Sequence, residues 1–400
     1  MWDVLIRNGK LLPLDGRGMR EQGYIGIENG IIAAIGDGAP LAGARQEIDV
    51  HGMLVMPALV DCHTHLMEYA TGEVYNAQGP AQSLAGLANW MTALAHGIVT
   101  LGEHHLGHPV LCQPMETYRK LADKAPMEVY LAFGECMIGT DPLSRVAAVY
   151  PGTSLNGPLT EEDWEKMASA SDFPGENLFL NATVANLPAS LAPRAGEVVY
   201  EQIKLRKIVD IFHGCGKKVG AHIEGVESAQ MFLEAGGDVI AHGHGLPVGY
   251  GKELARHNVA MVATPHAGTS SRPSSPQELY ELYRDGVRLA LATDSCIPPH
   301  PQADWYSFPE GYVVGPADLA RVARPVFDYF LKQGVPLEEV VALITRNAYQ
   351  MLDAGQPLAG TLQVGAPAHC IVTPGIPGVE LDDLHEIKKV FWRGQLVVSR

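Results

Sequence analysis

Pro57-Ala58-Leu59-Val60-Asp61-Cys62-His63-Thr64-His65 is the stretch on which the fold turns. An apolar run climbs into a cluster of side chains able to bind a metal. Strand alternation would place Asp61, His63 and His65 on one side and Cys62 and Thr64 on the other. Two imidazoles at i and i+2 on an inward face reach one cation.

The same design recurs downstream. Apolar runs are read at Leu54–His63, Gly97–Glu103, Glu128–Cys136, Asn177–Val184, Lys217–Glu224, Asp238–His244, Val259–Pro265 and Arg288–Ser295, eight in all. Helical stretches separate most of them: Leu84–Ala95, Pro114–Lys124, Thr160–Ala170, Tyr200–Gly214, Ser228–Ala235 and Pro276–Asp285. Thr160 before Glu161-Glu162-Asp163 is an N-cap with acidic residues in the first turn. Continuous apolar strands alternating with helices predict a parallel sheet covered by helices. The count of eight favours a closed (β/α)8 TIM barrel over an open doubly wound sheet.

The two ends of the chain read differently. Val4-Leu5-Ile6, Tyr24-Ile25-Gly26-Ile27 and Ile31–Ile35 are short strands punctuated by Asn8-Gly9, Asn29-Gly30 and Gly36-Asp37-Gly38. Asn-Gly between apolar runs is a hairpin signal, because both residues tolerate positive φ. His369-Cys370-Ile371-Val372, Val390-Phe391-Trp392 and Gln395–Val398 continue the style. The expected organisation is a small β-sandwich of residues 1–56 plus 350–400 around a barrel of residues 57–349.

Composition narrows the function. The chain has 400 residues, 46% hydrophobic and 18% charged, with 43 Gly and 28 Pro. The net charge of −16 repels phosphate backbones and anionic membrane surfaces, so neither nucleic acid nor membrane is an expected partner. The six cysteines, Cys62, Cys112, Cys136, Cys215, Cys296 and Cys370, form no C-x-x-C pair and read as reduced thiols. Met1-Trp2-Asp3-Val4 lacks the basic and apolar stretches of a signal peptide, so a cytoplasmic location is expected.

Polar residues end the runs. His63 and His65 close the first, His222 and Glu224 the fifth, His242 and His244 the sixth, and Asp294 the eighth. In a barrel these strand ends meet at one mouth. A lone strand-end His is usually a packing or loop residue. Such histidines with an aspartate, at matching ends of four strands, read as a metal site. Imidazole and carboxylate donors suit zinc first, with iron or manganese as alternatives, and one or two ions.

With these motifs the chain resembles the amidohydrolase superfamily. The matching pieces are Pro57–His65, His222, His242 and Thr293-Asp294-Ser295, and Gly360-Thr361-Leu362 with Gly365–Ala368 resembles the family's return into its small sandwich. The order of Gly97–Thr100, Leu159–Trp164 and the His222 strand is loosely similar to enamidase-like members. The resemblance implies that His63, His65 and His222 bind metal. It implies that His242 binds a second ion or polarises the substrate carbonyl, and that Asp294 touches the metal and shuttles a proton. The same roles follow from chemistry: a bound cation lowers the pKa of water, and a nearby carboxylate moves the released proton.

Three positions depart from the family pattern. Ala58 stands where Gly is usual, and His369 where the closing motif has Asp. The fourth run lacks the Lys of many binuclear members; the nearest, Lys166 and Lys204, fall in helical stretches. Glu135, ending the third run, is a substitute ligand, or a solvated loop residue.

Other candidates are less specific. His242 is preferred to His244 as ligand, leaving His244 to meet substrate. Glu224 would be a second acid/base or would hold an imidazole. His104 and His105 beside Glu103, Glu68 after the HxH motif, and Arg272 in Ser270–Pro276 are candidate substrate contacts; solvated loop residues are the plainer reading. The Pro-rich aromatic segment Ile297–Pro316 reads as a wall over the mouth or as a contact in a homo-oligomer.

The expected activity is metal-dependent hydrolysis of an amide C–N bond, cyclic amides included, in a small molecule. Aminohydrolysis of a heterocyclic base is the second reading, although deaminases of this type often carry Glu where Gly225 stands. A non-catalytic barrel scaffold is the third, and Asp294 argues against it.

Overall fold

The computed structural model describes residues 1–67, 80–105, 115–137, 145–147, 160–170, 176–181, 183, 196–198, 200–353 and 355–400. Five strands open the chain: β1 (Trp2–Leu11), β2 (Arg20–Glu28), β3 (Ile31–Asp37), β4 (Ala44–Asp49) and β5 (Leu54–Pro57). Asn29 and Gly30 both adopt positive φ, and they turn β2 into antiparallel β3 as their residue types demand. Asn8-Gly9 makes no hairpin. It lies inside β1, where Asn8 has φ +59° and the pairing with β2 shifts register, so the expected turn is a bulge.

Next come β6 (Leu59–Thr64), β7 (Ile98–His105), β8 (Glu128–Met137), β9 (Arg145–Ala147), β10 (Glu176–Asn181), β11 (Lys218–Glu224), β12 (Val239–His244), β13 (Ala260–Ala263) and β14 (Leu289–Leu291). The last three are β15 (Cys370–Thr373), β16 (Lys389–Trp392) and β17 (Gln395–Ser399). Helices α1 (Pro80–Ala95), α2 (Met115–Ala122), α3 (Glu161–Ala170), α4 (Gln202–Gly214), α5 (Gly225–Ala235), α6 (Gly251–Arg256), α7 (Pro276–Arg284), α8 (Leu319–Lys332), α9 (Leu337–Ala342) and α10 (Arg346–Leu352) complete the set.

The ends of the chain share one sheet, in the order β17-β16-β15-β5-β1-β2-β3, with β4 also on β1. The two ends of the chain thus join in one hydrogen-bonded sheet around a core of its own. Ile6, Ile25, Val55, Leu362, Val372 and Phe391 meet there.

The second sheet runs β6-β7-β8-β10-β11-β12-β13-β14, with short β9 antiparallel on β8. All neighbours along the main path are parallel and sequential. The expected closed ladder is not formed, since β14 and β6 share no register. Their edges are nonetheless joined past the strand ends: Asp294 N–H donates to His63 O (3.0 Å), and His65 N–H donates to Ser295 O (2.9 Å). Val60, Cys62, Val239, Val262, Ala290 and Ala292 form one cluster, closed by Tyr349, Met351 and Leu352 of α10. The opposite strand face, including Leu101, Val219, Ile240 and Leu289, packs with the helices.

Local chemistry sets the helix ends. Ser275 caps α7 in a reciprocal pair with Glu278, with Pro276 in the first turn. Thr160 Oγ1 accepts from Asp163 N–H (3.2 Å) while the Asp163 carboxylate accepts from Thr160 N–H (2.8 Å), the same device at α3. Among the described residues, no helix is long and apolar enough to cross a membrane.

Candidate metal centre

The β6 strand does not keep strict alternation into the site. Its pairing with β7 shifts register between Asp61 and Thr64. The Asp61 carboxylate accepts from Thr293 N–H (3.1 Å) and Thr293 Oγ1 (2.5 Å). Burial pushes this carboxyl up to about 7, against those hydrogen bonds. Asp61 therefore anchors the segment that delivers Asp294.

His63, His65 and Asp294 offer ligand atoms that all lie within 4.8 Å of one another, and all three are buried. Asp294 Oδ1 lies 3.5 Å from His63 Nε2 and 3.3 Å from His65 Nε2. His65 Nδ1–H donates to His104 O (2.6 Å), which turns the basic Nε2 toward Asp294. Asp294 and His242 both hold positive φ, +47° and +66°, an unusual backbone for such residues and one that clusters at functional sites.

His242 joins the cluster from β12, its Nδ1 3.8 Å from Asp294 Oδ2. The tautomer follows from its neighbour. Thr264 Oγ1 donates its one proton to Ala267 O (2.6 Å), so it accepts from His242 Nδ1–H (2.8 Å), and Nε2 is the basic nitrogen. Gly268 makes this fit possible: a Cβ there would stand 2.3 Å from His242 Nδ1, and its φ is +123°. His222 packs against His242, ring centroids 4.7 Å apart, and its buried Nε2 has no hydrogen-bond partner among the described residues.

The electrostatics fit a site able to hold a cation. Burial holds His63 down to about 3, His222 to about 4 and His242 well below the ordinary imidazole value, so the rings are neutral donors. For Asp294 burial acts upward, but His63 and His65 overcome it and hold the carboxyl well below its ordinary range. These three neutral imidazoles, with His65 and an ionised carboxylate, suit a divalent cation such as zinc.

The remaining candidates fall in distinct places. His244 is buried, with Nδ1 2.9 Å from Thr269 Oγ1. The Glu224 carboxylate accepts from Ser270 Oγ (2.5 Å), Ser271 Oγ (2.5 Å) and Ser270 N–H (3.2 Å), so it ties the loop after β13. Arg272 pairs with Glu278 (2.5 Å) and lies over the Trp305 ring. His104 is buried and stacked at 4.0 Å on His63. The backbones of His105 in β7 and Glu135 in β8 are placed, but their side chains, like Glu68 entirely, lie outside the described residues. Lys166 and Lys204 sit in α3 and α4, and β10 carries no lysine.

Two further residues shape the site. Glu103 is wholly buried and accepts from Met67 N–H (2.8 Å), Trp90 Nε1–H (3.1 Å) and Thr64 Oγ1 (3.2 Å), bracing the backbone that follows His65. His266 is wholly buried beyond β13, with its imidazole lowered to about 4 by burial. Sequence reading ended that run at Pro265. A His one residue past a strand-end Thr264-Pro265 was the available signal.

The pattern of the amidohydrolase family matches residues 54–397, spanning every strand that carries these ligands. The chain belongs to the amidohydrolase family. Among relatives of this amidohydrolase, the allantoinase of Rubrobacter xylanophilus is 34% identical over 100 residues, 25% of this chain and 19% of that one. A 5-methylthioadenosine/S-adenosylhomocysteine deaminase of Syntrophobacter fumaroxidans is 43% identical over 67 residues, 16% of this chain and 15% of that one. The amidohydrolase thus aligns with less than a fifth of the length of either relative. The fold is shared more widely: a solved Xaa-Pro dipeptidase with bound methionine superposes with a TM-score of 0.75 at 18% identity, covering 99% of this chain and 100% of that one.

Proposed function

We propose that this amidohydrolase cleaves an amide C–N bond, cyclic amides included, in a small molecule, with a divalent metal held by His63, His65, His222, His242 and Asp294. The observation that carries the reading is the buried convergence of His63, His65 and Asp294 donors within 4.8 Å, with His242 beside them. When bound, the metal supplies Lewis acidity and brings the pKa of water toward neutrality.

The chain's own groups do the rest. His104 O fixes the tautomer of His65, and Thr264 Oγ1 that of His242. Asp294 is ionised and buried, so it takes a proton from the attacking water at Oδ1 or Oδ2. It then hands that proton to the departing nitrogen, which leaves as an amine rather than as an anion. Glu135 and Glu224 are kept as an additional ligand and an additional acid/base.

The allantoinase relative supports amide cleavage, and the deaminase relative supports loss of ammonia from a heterocycle. Gly225 follows the His222–Glu224 segment with no side chain to protonate a ring, which favours the amide. The test is elemental analysis of the zinc-loaded protein, followed by assay against lactams, imides and amino-heterocycles. Stoichiometric metal with ring-opened carboxylate is the expected result. Ammonia release alone would move the assignment to aminohydrolysis, and absence of metal binding would overturn it.

A further inference from the structure

Residues 264–268 form a turn beyond β13 that lies directly on His242. Thr264 Oγ1 holds His242 Nδ1, and Gly268 passes where any side chain would strike that imidazole. His266 occupies the middle of this turn and is wholly buried. Neither of its ring nitrogens has a hydrogen-bond partner among the described residues, and the same is true of Nε2 of neighbouring His244. Each imidazole contributes to the electrostatic surroundings described for the site, His266 with Asp294 and His244 with His266.

Two aromatic residues stand beside this turn. Tyr306 stands edge-on to His266, ring centroids 6.4 Å apart. The Tyr306 hydroxyl donates to Val322 O (2.6 Å), so toward His266 the tyrosine offers only its ring. Trp305 Nε1–H is likewise engaged, by Pro265 O (3.0 Å). Buried polar atoms without partners cost free energy, so a bound molecule that pairs with them is favoured.

We propose that His266 contacts the substrate and determines specificity by exchanging hydrogen bonds with an uncharged polar group, of the amide N–H and C=O kind. A neutral imidazole provides one donor and one acceptor, which matches such a group. A carboxylate at His266 would lose its hydration and meet no free guanidinium, because Arg272, which lies over Trp305, is already paired with Glu278. The inference deepens the hydrolase reading and rests on substrate entering at Asp294.

Calorimetry on zinc-loaded protein tests it, with hydantoin as the uncharged probe and hydantoin-5-acetate as the same ring bearing a carboxylate. Hydantoin should bind more tightly than the acid. His266→Ala should weaken hydantoin by about tenfold or more, a loss of at least one decade in Kd. His266→Asn, which keeps a donor and an acceptor, should restore part of it, with zinc content unchanged in both variants. Equal hydantoin affinity in wild type and His266→Asn and His266→Ala, no hydantoin binding, or preference for the acid would overturn the proposal. Hydantoin bound through His266 with no amide turned over would instead remove the hydrolysis reading and leave the subsite standing.

Discussion

His65 and Asp294 approach to 3.3 Å between Nε2 and Oδ1, although 229 positions of sequence numbering part them (294 − 65). The backbone builds the same approach, since His65 N–H bonds Ser295 O and Asp294 N–H bonds His63 O. Asp294→Asn keeps the shape and removes the base. It should lower kcat/KM by about 10²- to 10⁴-fold, the usual range for a lost general base. Steady-state kinetics beside a thermal melt checks this; wild-type rates in the variant would remove Asp294 from the chemistry.

Thr264 sets the tautomer of His242 without belonging to the ligand set. Thr264→Val should reduce zinc affinity by about 10- to 100-fold, as expected when the partner orienting a metal-binding imidazole is lost. Thr264→Ser should retain it. Competition with a chromophoric chelator measures both, and equal affinities in all three proteins would refute the positioning role.

Glu224 fastens the loop after β13 through Ser270 and Ser271. Replacing it by Ala should speed amide hydrogen exchange over residues 269–272 while leaving exchange in β13 unaltered. Unchanged exchange across the loop would mean that the carboxylate is no fastening.

Glu128 gives a pH prediction. It is bound by His369 Nε2 (3.3 Å), Arg393 Nη2 (3.3 Å) and the Tyr349 hydroxyl (2.9 Å). Burial acts upward, yet His369 and its companions lower the carboxyl from 4.5 to about 2. A depressed carboxyl stabilises the fold above its unfolded pKa, and that stability drains away as pH falls from 4.5 toward 2. Between pH 5.5 and 3 wild type should lose about 2 kcal/mol more than Glu128→Gln. Urea titrations at both pH values measure it, and parallel losses would contradict it.

Much of this was written in the chain. Strands buried on both faces carry unbroken apolar runs, so each of the eight runs overlaps a strand of the parallel sheet. The same property hid a boundary. Leu54–His63 reads as one run, yet β5 serves one sheet and β6 the other, because Ala58 interrupts the pairing without interrupting the hydrophobicity. Helix α8 was not read, and Pro325 in its interior breaks the usual pattern. At the site, donors that end runs were legible. His266 was not, since it follows a proline beyond the run. The pairing of Asp61 with Thr293 was equally invisible, because it joins two strand ends far apart in sequence. His369 was visible as a departure, but its bond to Glu128 requires the strands to be folded together.

The sheet that unites the two ends of the chain has a consequence for synthesis. β5 pairs with β15 through Cys370–Thr373, which a ribosome makes long after Pro57. Until then the apolar edge of β5 has no neighbour on that side, and a nascent chain offers it to any other unpaired strand. Emergence of β15, rather than docking of the central strands, is therefore the step that covers this edge.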